Sequence, residues 1–376
     1  MTSSSFSHAV DMPQTGDVLD GRYRLTERLG AGAMGRVFRA RDEVLHRDVA
    51  VKIYDAEPRE DLDPARRSAE ATALAHLDHP SLVTLYDARV TGDGPAYLVM
   101  ELISGPTLQH RIEKGPLTST EVAAIVRDLA GALCVVHRAG IVHRDIKPSN
   151  VLLRATARRS DRPAAVLADF GVAHLLDAPR LTAPGTILGT AAYLAPEQLR
   201  GEAPQAASDI YALGLLSIEM LTRLHPFPGI TMEETIVARL HHQPTVPGDR
   251  GYAWRSLLTA MTAPDPRDRP TAEDVAARAA AITAAGAAER SSPRREARAR
   301  LLAEAVATMP SLTLAEVAAM DTPPASPAAP RPLRRDRERA RAASRRTPFV
   351  GAAALRSGIH ALLALLRPTA RIDAPR

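Results

Sequence analysis

The segment HRDIKPSN, residues 143–150, places an acid, basic side chains and an amide within one short stretch. Asp145 and Asn150 carry oxygen atoms that could bind a cation, and Asp169 in ADFG adds a third such side chain. Carboxylate and amide oxygens are the ligands that Mg²⁺ prefers in proteins. The three residues therefore supply oxygen ligands of the kind that Mg²⁺ prefers, although a single segment of this kind also occurs in ordinary surface turns.

A glycine cluster earlier in the chain has the spacing of a phosphate-binding loop. Gly30, Gly32 and Gly35 form G-x-G-x-x-G, a pattern shared by dinucleotide-binding folds and plain turns. The residues after it are strand-like rather than helical, which favours a strand-turn-strand whose backbone N–H groups approach phosphates. Lys52 follows three apolar residues in VAVK, so we expect its side chain to lie against the wall of a pocket.

Hydrophobic patterns divide the first 285 residues into a β-rich part and an α-rich part. Strand-like runs lie on both sides of the glycines within 23–42 and at 47–54, 82–90 and 96–102, with a helical pattern at 64–80. A long helix is predicted over 117–140, where Thr118 and Glu121 have the spacing of a capping box. Further helices are predicted over 205–224, 231–243 and 271–285.

Composition indicates a globular protein with a basic tail. The hydrophobic fraction is 45% and the charged fraction 24%, and the single cysteine, Cys134, excludes an internal disulfide. Cys134 lies in an apolar helical run, so a buried structural thiol is expected. Residues 285–376 hold 17 Arg, no Lys and 8 acidic residues, which makes them +9 and leaves −4 for residues 1–284 of the total +5. This asymmetry predicts a boundary near residue 285.

Several further motifs accompany these in a fixed order: GTAAYLAPE at 189–197, SDIYALG at 208–214 and DPRDRP at 265–270. With GAGAMGRV, VAVK, HRDIKPSN and DFG, they make residues 23–284, about 70% of the chain, resemble the eukaryotic-like serine/threonine protein kinases, and the bacterial branch in particular. The resemblance implies an α+β, bilobal protein-kinase fold: a small β-rich N-lobe and a large α-helical C-lobe with ATP between them, followed by a basic, partly disordered C-terminal tail.

The same resemblance implies roles for individual residues. Asp145 would accept the proton of the substrate hydroxyl, and Lys147 would neutralise the transferring phosphoryl charge and marks the serine/threonine class. Lys52 would bind the α- and β-phosphates, with Glu70 as its ion-pair partner; Glu57 and Glu60 are the alternatives for that partner. Thr190 is placed to hydrogen-bond Asp145 and Lys147.

For the nucleotide, Asn150 and Asp169 would hold Mg²⁺ or Mn²⁺, and Met100 matches the residue at the back of the adenine pocket. The ATP-binding residues implied by the resemblance are Leu29, Gly30, Gly32, Gly35, Val37, Ala50, Lys52, Met100, Glu101, Ile103 and Leu152. The backbone of Glu101 and Ile103 would form the hinge. Plain core packing is the alternative for the apolar members.

Three residues match structural positions of the family, and two match regulatory ones. Glu197 and Arg269 correspond to a buried ion pair, and Asp209 to an anchor beneath the catalytic loop. Thr182 and Thr186 are the candidate phosphorylation sites, where Arg144 would contact the phosphate. The alternative is that neither threonine is modified.

The predicted domain organisation has five parts: a disordered leader (1–22), a kinase domain (23–284), an Arg/Pro-rich linker with short helices (285–348), an amphipathic helix (349–367) and a disordered end (368–376). Arg356 lies near the middle of the apolar run 349–366, which argues against a membrane span. A helix there would suit a membrane surface, a partner protein or the chain's own kinase domain. Interleaved aromatic residues are absent from the basic run, so nucleic-acid binding is not expected.

These features predict a cytoplasmic ATP-dependent serine/threonine protein kinase, with attachment to the inner membrane face as a second location. Its partners would be protein substrates, and two kinase domains would pair for autophosphorylation of the activation loop. The alternative function is a pseudokinase or nucleotide-binding scaffold that acts through its basic tail. The presence of Lys52, Asp145, Asn150 and Asp169 favours the enzyme, and GTAAYLAPE disfavours a small-molecule phosphotransferase.

Overall fold

The computed structural model describes seven segments of the chain: residues 12–32, 35–54, 64–91, 94–155, 164–169, 192–227 and 231–290. All of them lie in the first of two compact units, Met1–Ala303 and Glu304–Arg376. The predicted linker, amphipathic helix and end beyond residue 290 lie outside the described residues and remain predictions.

The first part of the described chain is a six-stranded antiparallel sheet in the order β1-β2-β3-β4-β6-β5. Its strands are β1 (Val18–Leu19), β2 (Tyr23–Gly32), β3 (Gly35–Asp42), β4 (Arg47–Ile53), β5 (Leu85–Arg89) and β6 (Tyr97–Glu101). One helix, α1 (Pro64–Ala75), lies between β4 and β5 in the chain. Within the described residues, this arrangement matches the predicted β-rich N-lobe with one helix.

The side chains of β4 alternate between the two faces of the sheet. Val49, Val51 and Ile53 pack into one core with residues of β2, β3 and β6. Successive side chains of a strand point to opposite faces, so Ala50 and Lys52 belong to the other face of the sheet. The sequence VAVKI therefore places one charged side chain among apolar neighbours on the face away from that core.

The prediction of a disordered leader over 1–22 is wrong for its last residues. Val18 and Leu19 form β1 and pair with Arg24 and Tyr23 of β2. Leu19 is buried in the core of the sheet. Backbone hydrogen bonds and this apolar contact order the segment, while residues 1–11 lie outside the described part.

The second part of the described chain is mainly helical. Its elements are α2 (Leu108–Glu113), α3 (Ser119–Arg138), β7 (Val151–Arg154), β8 (Ala164–Leu167), α4 (Pro196–Leu199), α5 (Ala206–Thr222), α6 (Met232–His241), α7 (Tyr252–Met261) and α8 (Ala272–Arg290). Helix α5 is apolar on nearly every side and is buried at most of its positions, as a central helix must be. The helices predicted over 117–140, 205–224, 231–243 and 271–285 are confirmed, whereas α2, α4 and α7 were not predicted.

Helix α3 begins with the predicted capping box. The Thr118 hydroxyl accepts from the backbone N–H of Glu121 at 3.2 Å, and the Glu121 carboxylate accepts from the backbone N–H of Thr118 at 2.7 Å. We expect Thr118→Ala to lower the free energy of unfolding by about 1 kcal/mol, because a backbone N–H loses its acceptor. Urea unfolding of the variant beside Thr118→Ser, which keeps the hydroxyl, measures this cost; equal stabilities would contradict it.

The β7–β8 hairpin joins the two parts. The backbone N–H of Val83 donates to the carbonyl of Leu167 at 3.0 Å, and Leu167 N–H donates to the carbonyl of Ser81 at 2.9 Å. On the β7 side, a Cβ at Gly105 would lie 2.0 Å from the carbonyl oxygen of Leu153. The segment between β6 and α2 thus lies so close to β7 that only glycine fits at position 105.

None of the helices in the described part of the chain combines the length and apolar content that a membrane span requires. The run 349–366 lies outside that part.

Candidate active site

The segment 143–145 is anchored from below by Asp209, in the first turn of α5. The backbone N–H groups of His143 and Arg144 each donate to the Asp209 carboxylate at 2.8 Å, and His137 Nε2 lies 2.8 Å from it. Arg144 has a φ of +68°, a left-handed conformation that is unfavourable for a residue with a side chain. The two backbone bonds hold that conformation, and the predicted anchoring role of Asp209 is confirmed.

His143, the first residue of this segment, is fully buried. Burial lowers the pKa of His143, and the charges of Asp209, Asp145 and Asp169 oppose that effect only in part. Because its pKa lies below the ordinary value for histidine, the imidazole is neutral at pH 7.

The carboxylate of Asp145 is held by two donors. Lys147 Nζ lies 3.1 Å from Asp145 Oδ2, and Asn150 Nδ2 lies 2.9 Å from the same oxygen. Asn150 Nδ2 also donates to the backbone carbonyl of Asp145 at 2.8 Å. Pro148 opens the 3₁₀ turn that carries Asn150 back towards Asp145. The predicted loop therefore presents one fixed, negatively charged acceptor beside a cation.

A second ion pair lies next to this loop. Lys52 Nζ is 2.8 Å from Asp169 Oδ1, and Lys52 is only 9% exposed. Asp169 follows β8, where the backbone N–H of Ala168 donates to the carbonyl of Asn150 at 2.9 Å. Lys52 on β4 and Asp169 after β8 therefore join the sheet to the second part of the described chain.

Tyr54 supports this pair from the sheet side. Lys52 Nζ lies 5.5 Å from the centre of the Tyr54 ring, within the range of a cation–π contact. Burial raises the pKa of Tyr54 well above its ordinary value, and the charge of Asp169 adds to that. Sequence reasoning missed this residue, although it follows directly on the VAVKI strand.

Asn150 and Asp169 have the chemistry of a cation site that is completed by a substrate. Among the described residues, no three His, Cys, Asp or Glu side chains cluster closely enough to hold a metal by themselves. Mg²⁺ often needs only one or two protein oxygens, with phosphate and water supplying the others. Within the described residues, Asn150 bonds to Asp145 through its nitrogen and Asp169 meets Lys52 through Oδ1, which leaves the Asn150 amide oxygen and Asp169 Oδ2 as the candidate cation ligands. The residues fit Mg²⁺ bound with a nucleotide.

The glycine cluster forms the predicted strand-turn-strand. Gly30 pairs with Val37 and Gly32 with Gly35 across β2 and β3. Gly35 has a φ of +142°, and a Cβ there would lie 2.0 Å from the carbonyl oxygen of Ile53. Glycine is required at that position, and Leu29 beside the cluster is exposed. The tip, residues 33–34, lies outside the described residues.

Three of the apolar residues predicted for adenine binding, Met100, Ile103 and Leu152, belong to one hydrophobic cluster. Ile103 and Val83 are buried with Val166, and Met100 and Leu152 pack against them. In the sheet register Ala50 lies opposite Met100, and Val37 lies opposite Lys52. The predicted apolar set therefore comes from the sheet (Val37, Ala50 and Met100), from β7 (Leu152) and from the segment after β6 (Ile103).

Glu101, which was predicted to lie in the hinge, has a partner that sequence reasoning missed. Arg154 on β7 binds it with both prongs, Nη1 to Oε1 at 2.6 Å and Nη2 to Oε2 at 2.9 Å. The bidentate geometry is the strongest form of such a pair and fixes the strand end to β7. The residues are 53 positions apart, and no local pattern connects them.

The predicted buried ion pair between Glu197 and Arg269 is confirmed. Arg269 donates to both carboxylate oxygens, at 2.7 and 2.8 Å, and both side chains are fully buried. Ser208 donates to Glu197 at 2.7 Å. Burial by itself would raise the pKa of Glu197, but the bonds from Arg269 and Ser208 outweigh it and the pKa lies below its ordinary value. The pair locks the residues just after Pro196 to the helical part.

Some predicted residues cannot be placed beside these. Glu70 lies in α1, but its side chain is outside the described residues, as are Glu57 and Glu60. Thr182, Thr186 and Thr190 fall in 170–191, which is also outside them. Their roles remain predictions.

Residues 23–279 match the sequence model of the protein kinase domain. The chain belongs to the protein kinase family. The chain is 42% identical to serine/threonine-protein kinase PknL of Mycobacterium bovis over 219 residues, which are 58% of this chain and 53% of that protein. It is 35% identical to PknA of Mycobacterium tuberculosis over 317 residues, 82% of this chain and 71% of the relative. PkaA of Streptomyces coelicolor is 37% identical over 268 residues, 68% of this chain and 49% of the relative.

The matched part of the kinase spans about half the length of PknL and of PkaA. The named relatives are all bacterial serine/threonine-protein kinases, which confirms the resemblance seen in the motifs. The kinase domain includes the sheet, the helical part and the cleft where Lys52, Asp145, Asn150 and Asp169 lie.

Proposed function

We propose that the chain is a serine/threonine protein kinase that transfers the γ-phosphate of ATP to serine or threonine hydroxyls of protein substrates. The observation that carries the proposal is the arrangement at Asp145, whose Oδ2 meets Lys147 at 3.1 Å and Asn150 at 2.9 Å. The Lys52–Asp169 pair at 2.8 Å lies beside it. The family and its serine/threonine-specific relatives support the same reaction.

The geometry suits phosphoryl transfer, which needs positioning and charge neutralisation more than covalent chemistry. Asp145 orients the attacking hydroxyl and takes its proton at Oδ2 or Oδ1. Lys147, held beside that carboxylate, faces the negative charge of the phosphoryl group. Asn150 and Asp169 would hold Mg²⁺ or Mn²⁺, which would supply further positive charge to the phosphates.

The nucleotide site follows from the same cleft. The glycine turn between β2 and β3 covers the phosphates with backbone N–H groups, and Lys52 binds them from β4. The adenine ring lies between Val37 and Ala50 above and Leu152 below, with its edge at the backbone of Glu101 and Ile103. Met100 limits the depth of the pocket.

Phosphate transfer to casein tests the proposal. The purified chain with γ-labelled ATP and Mg²⁺ is expected to label casein, and a chelator should abolish the labelling, with Mn²⁺ restoring it. Absence of labelling from a chain whose melting temperature rises with Mg²⁺–ATP would favour the nucleotide-binding scaffold instead.

Regulation and partners are part of the proposal. Paired kinase domains would phosphorylate each other at Thr182 or Thr186. Arg144 would bind the resulting phosphate, and its backbone N–H is already held by the Asp209 carboxylate. Mass spectrometry should find phosphate at one of these threonines, and Thr182→Ala or Thr186→Ala should lower casein labelling severalfold. If the doubly substituted chain kept full activity, the threonines would have no activating role.

The basic tail, with its net charge of +9, would contact a membrane surface or a protein partner.

A further inference from the structure

Arg239 on α6 is a buried cation that the proposed chemistry does not use. It is only 2% exposed. Nη1 donates to the backbone carbonyl of Leu194 at 3.0 Å, and Nη2 donates to that of Ala192 at 2.7 Å. Its guanidinium carbon lies 5.3 Å from the centre of the Phe227 ring. Burying a cation is costly, so a side chain kept in this position is expected to do something that a neutral residue would not.

The two acceptors explain why the buried group is a guanidinium. Residues 192–193 form a turn, and the carbonyls of Ala192 and Leu194 converge on one planar donor. Arginine offers several donors in a rigid fork, whereas the ammonium of lysine is a single point. Arg239 therefore fixes two backbone groups at once and sets the course of the chain between them.

The residue between those carbonyls is fixed as well. The hydroxyl of Tyr193 donates to Glu219 Oε2. Its ring meets the His225 imidazole edge-on, with centres 5.6 Å apart and planes at 80°. Burial raises the pKa of Tyr193 far above its ordinary range, with the charge of Glu219 adding to it, so the hydroxyl stays a donor. The segment 192–194 is thus held through both backbone and side chain.

This segment borders the proposed catalytic loop. Tyr193 and Leu194 line one cavity together with Arg144 and Asp145. We propose that Arg239 is a positioning residue that holds residues 192–194 as the wall on which a protein acceptor binds beside Asp145. This inference rests on the proposed kinase activity and adds to it the residue that shapes the protein-substrate side of the cleft.

The test separates acceptor binding from nucleotide binding. The acceptor is the peptide that the wild-type full chain phosphorylates fastest in a degenerate serine/threonine library. We expect Arg239→Met to raise the KM for this peptide by about tenfold or more, because charge-assisted hydrogen bonds to the wall are lost. The KM for ATP should stay within about twofold. Arg239→Lys keeps the charge but offers fewer well-placed donors. Its KM for the peptide should therefore lie between those of the wild type and Arg239→Met.

Arg223 supplies a matched control. It also donates to two backbone carbonyls, those of Ile112 and Glu113, but it lies outside the cavity that Asp145 lines. Arg223→Met should leave the peptide KM unchanged. An unchanged peptide KM in Arg239→Met, or an equal rise in both KM values with a lower melting temperature, would overturn the inference. If Arg239→Met does not fold, Arg239→Lys is judged by the same criterion. A wild type that phosphorylates no peptide would instead overturn the proposed function.

Discussion

Asp145→Asn is expected to lower the turnover number for phosphate transfer by roughly 10²- to 10⁴-fold, the range for losing a positioned proton acceptor. The substitution keeps the shape of the side chain but removes its negative charge. In the wild type, Asp145 Oδ2 accepts hydrogen bonds from Lys147 Nζ at 3.1 Å and from Asn150 Nδ2 at 2.9 Å. The amide neither takes the hydroxyl proton nor holds Lys147 in place. Steady-state assays with a saturating peptide acceptor measure the effect.

Nucleotide binding should survive this change, because Asp145 does not belong to the ATP-binding set. The rise of the melting temperature with Mg²⁺–ATP should therefore match that of the wild type. Asp48→Asn is the matched control, since Asp48 is a carboxylate paired with arginines on the exposed face of β3 and β4. A turnover number in Asp145→Asn within threefold of the Asp48 variant would contradict the role given to Asp145.

The largest effect on stability is expected at the buried pair of Glu197 and Arg269. Glu197→Gln should lower the free energy of unfolding by about 3–5 kcal/mol, because it leaves a buried guanidinium without its countercharge. Arg269 also donates to the carbonyls of Ala263, Ala207 and Pro264, so it cannot swing into solvent without breaking those bonds. Urea unfolding at pH 7 measures the change.

Replacing both members should cost less than the two single changes together. In the double variant Glu197→Gln with Arg269→Met no charge is left buried, so the coupling energy should be clearly favourable to the pair. The exposed pair of Glu43 and Arg24, with nitrogen and oxygen 2.6 Å apart, is the comparison. Glu43→Gln should cost less than about 1 kcal/mol. Equal costs at Glu43 and Glu197 would show that burial does not control the strength of these pairs.

Much of the fold and of the site could be predicted because the signals are local. The three apolar residues before Lys52 in VAVK predicted its place against a pocket wall, and the capping box at Thr118 marked the start of α3. The residues of HRDIKPSN that bind each other lie within five positions, so their contacts follow from one short loop. Glu197, Asp209 and Arg269 were predicted from family motifs, and the structure shows the bonds that they make.

The contacts that escaped prediction depend on distant parts of the chain or on weak local patterns. Helix α7 has buried residues at 254, 257, 258 and 261, a helical spacing, but Gly251 precedes it in place of a capping side chain. Strand β1 has two residues, too few for alternation to be visible. Arg154 pairs with a residue that precedes it by 53 positions.

Arg239 shows the limit most clearly. It is the first charged residue of the helical run VARLHH, and a charged side chain on a helix is normally expected on the solvent-exposed face. Its described acceptors are backbone carbonyls, which no residue type announces. Only the packing of α6 against residues 192–194 reveals that the side chain is buried.

The most direct test of the central claim is to map phosphate on an acceptor protein. Wild-type chain and Asp145→Asn are each incubated with Mg²⁺–ATP and casein, and the phosphorylated residues are identified by mass spectrometry. We predict phosphoserine or phosphothreonine with the wild type and none above background with the variant. Equal phosphorylation by both proteins, or none by a folded wild type that binds ATP, would contradict the claim that Asp145 and its neighbours form the active site of a protein kinase.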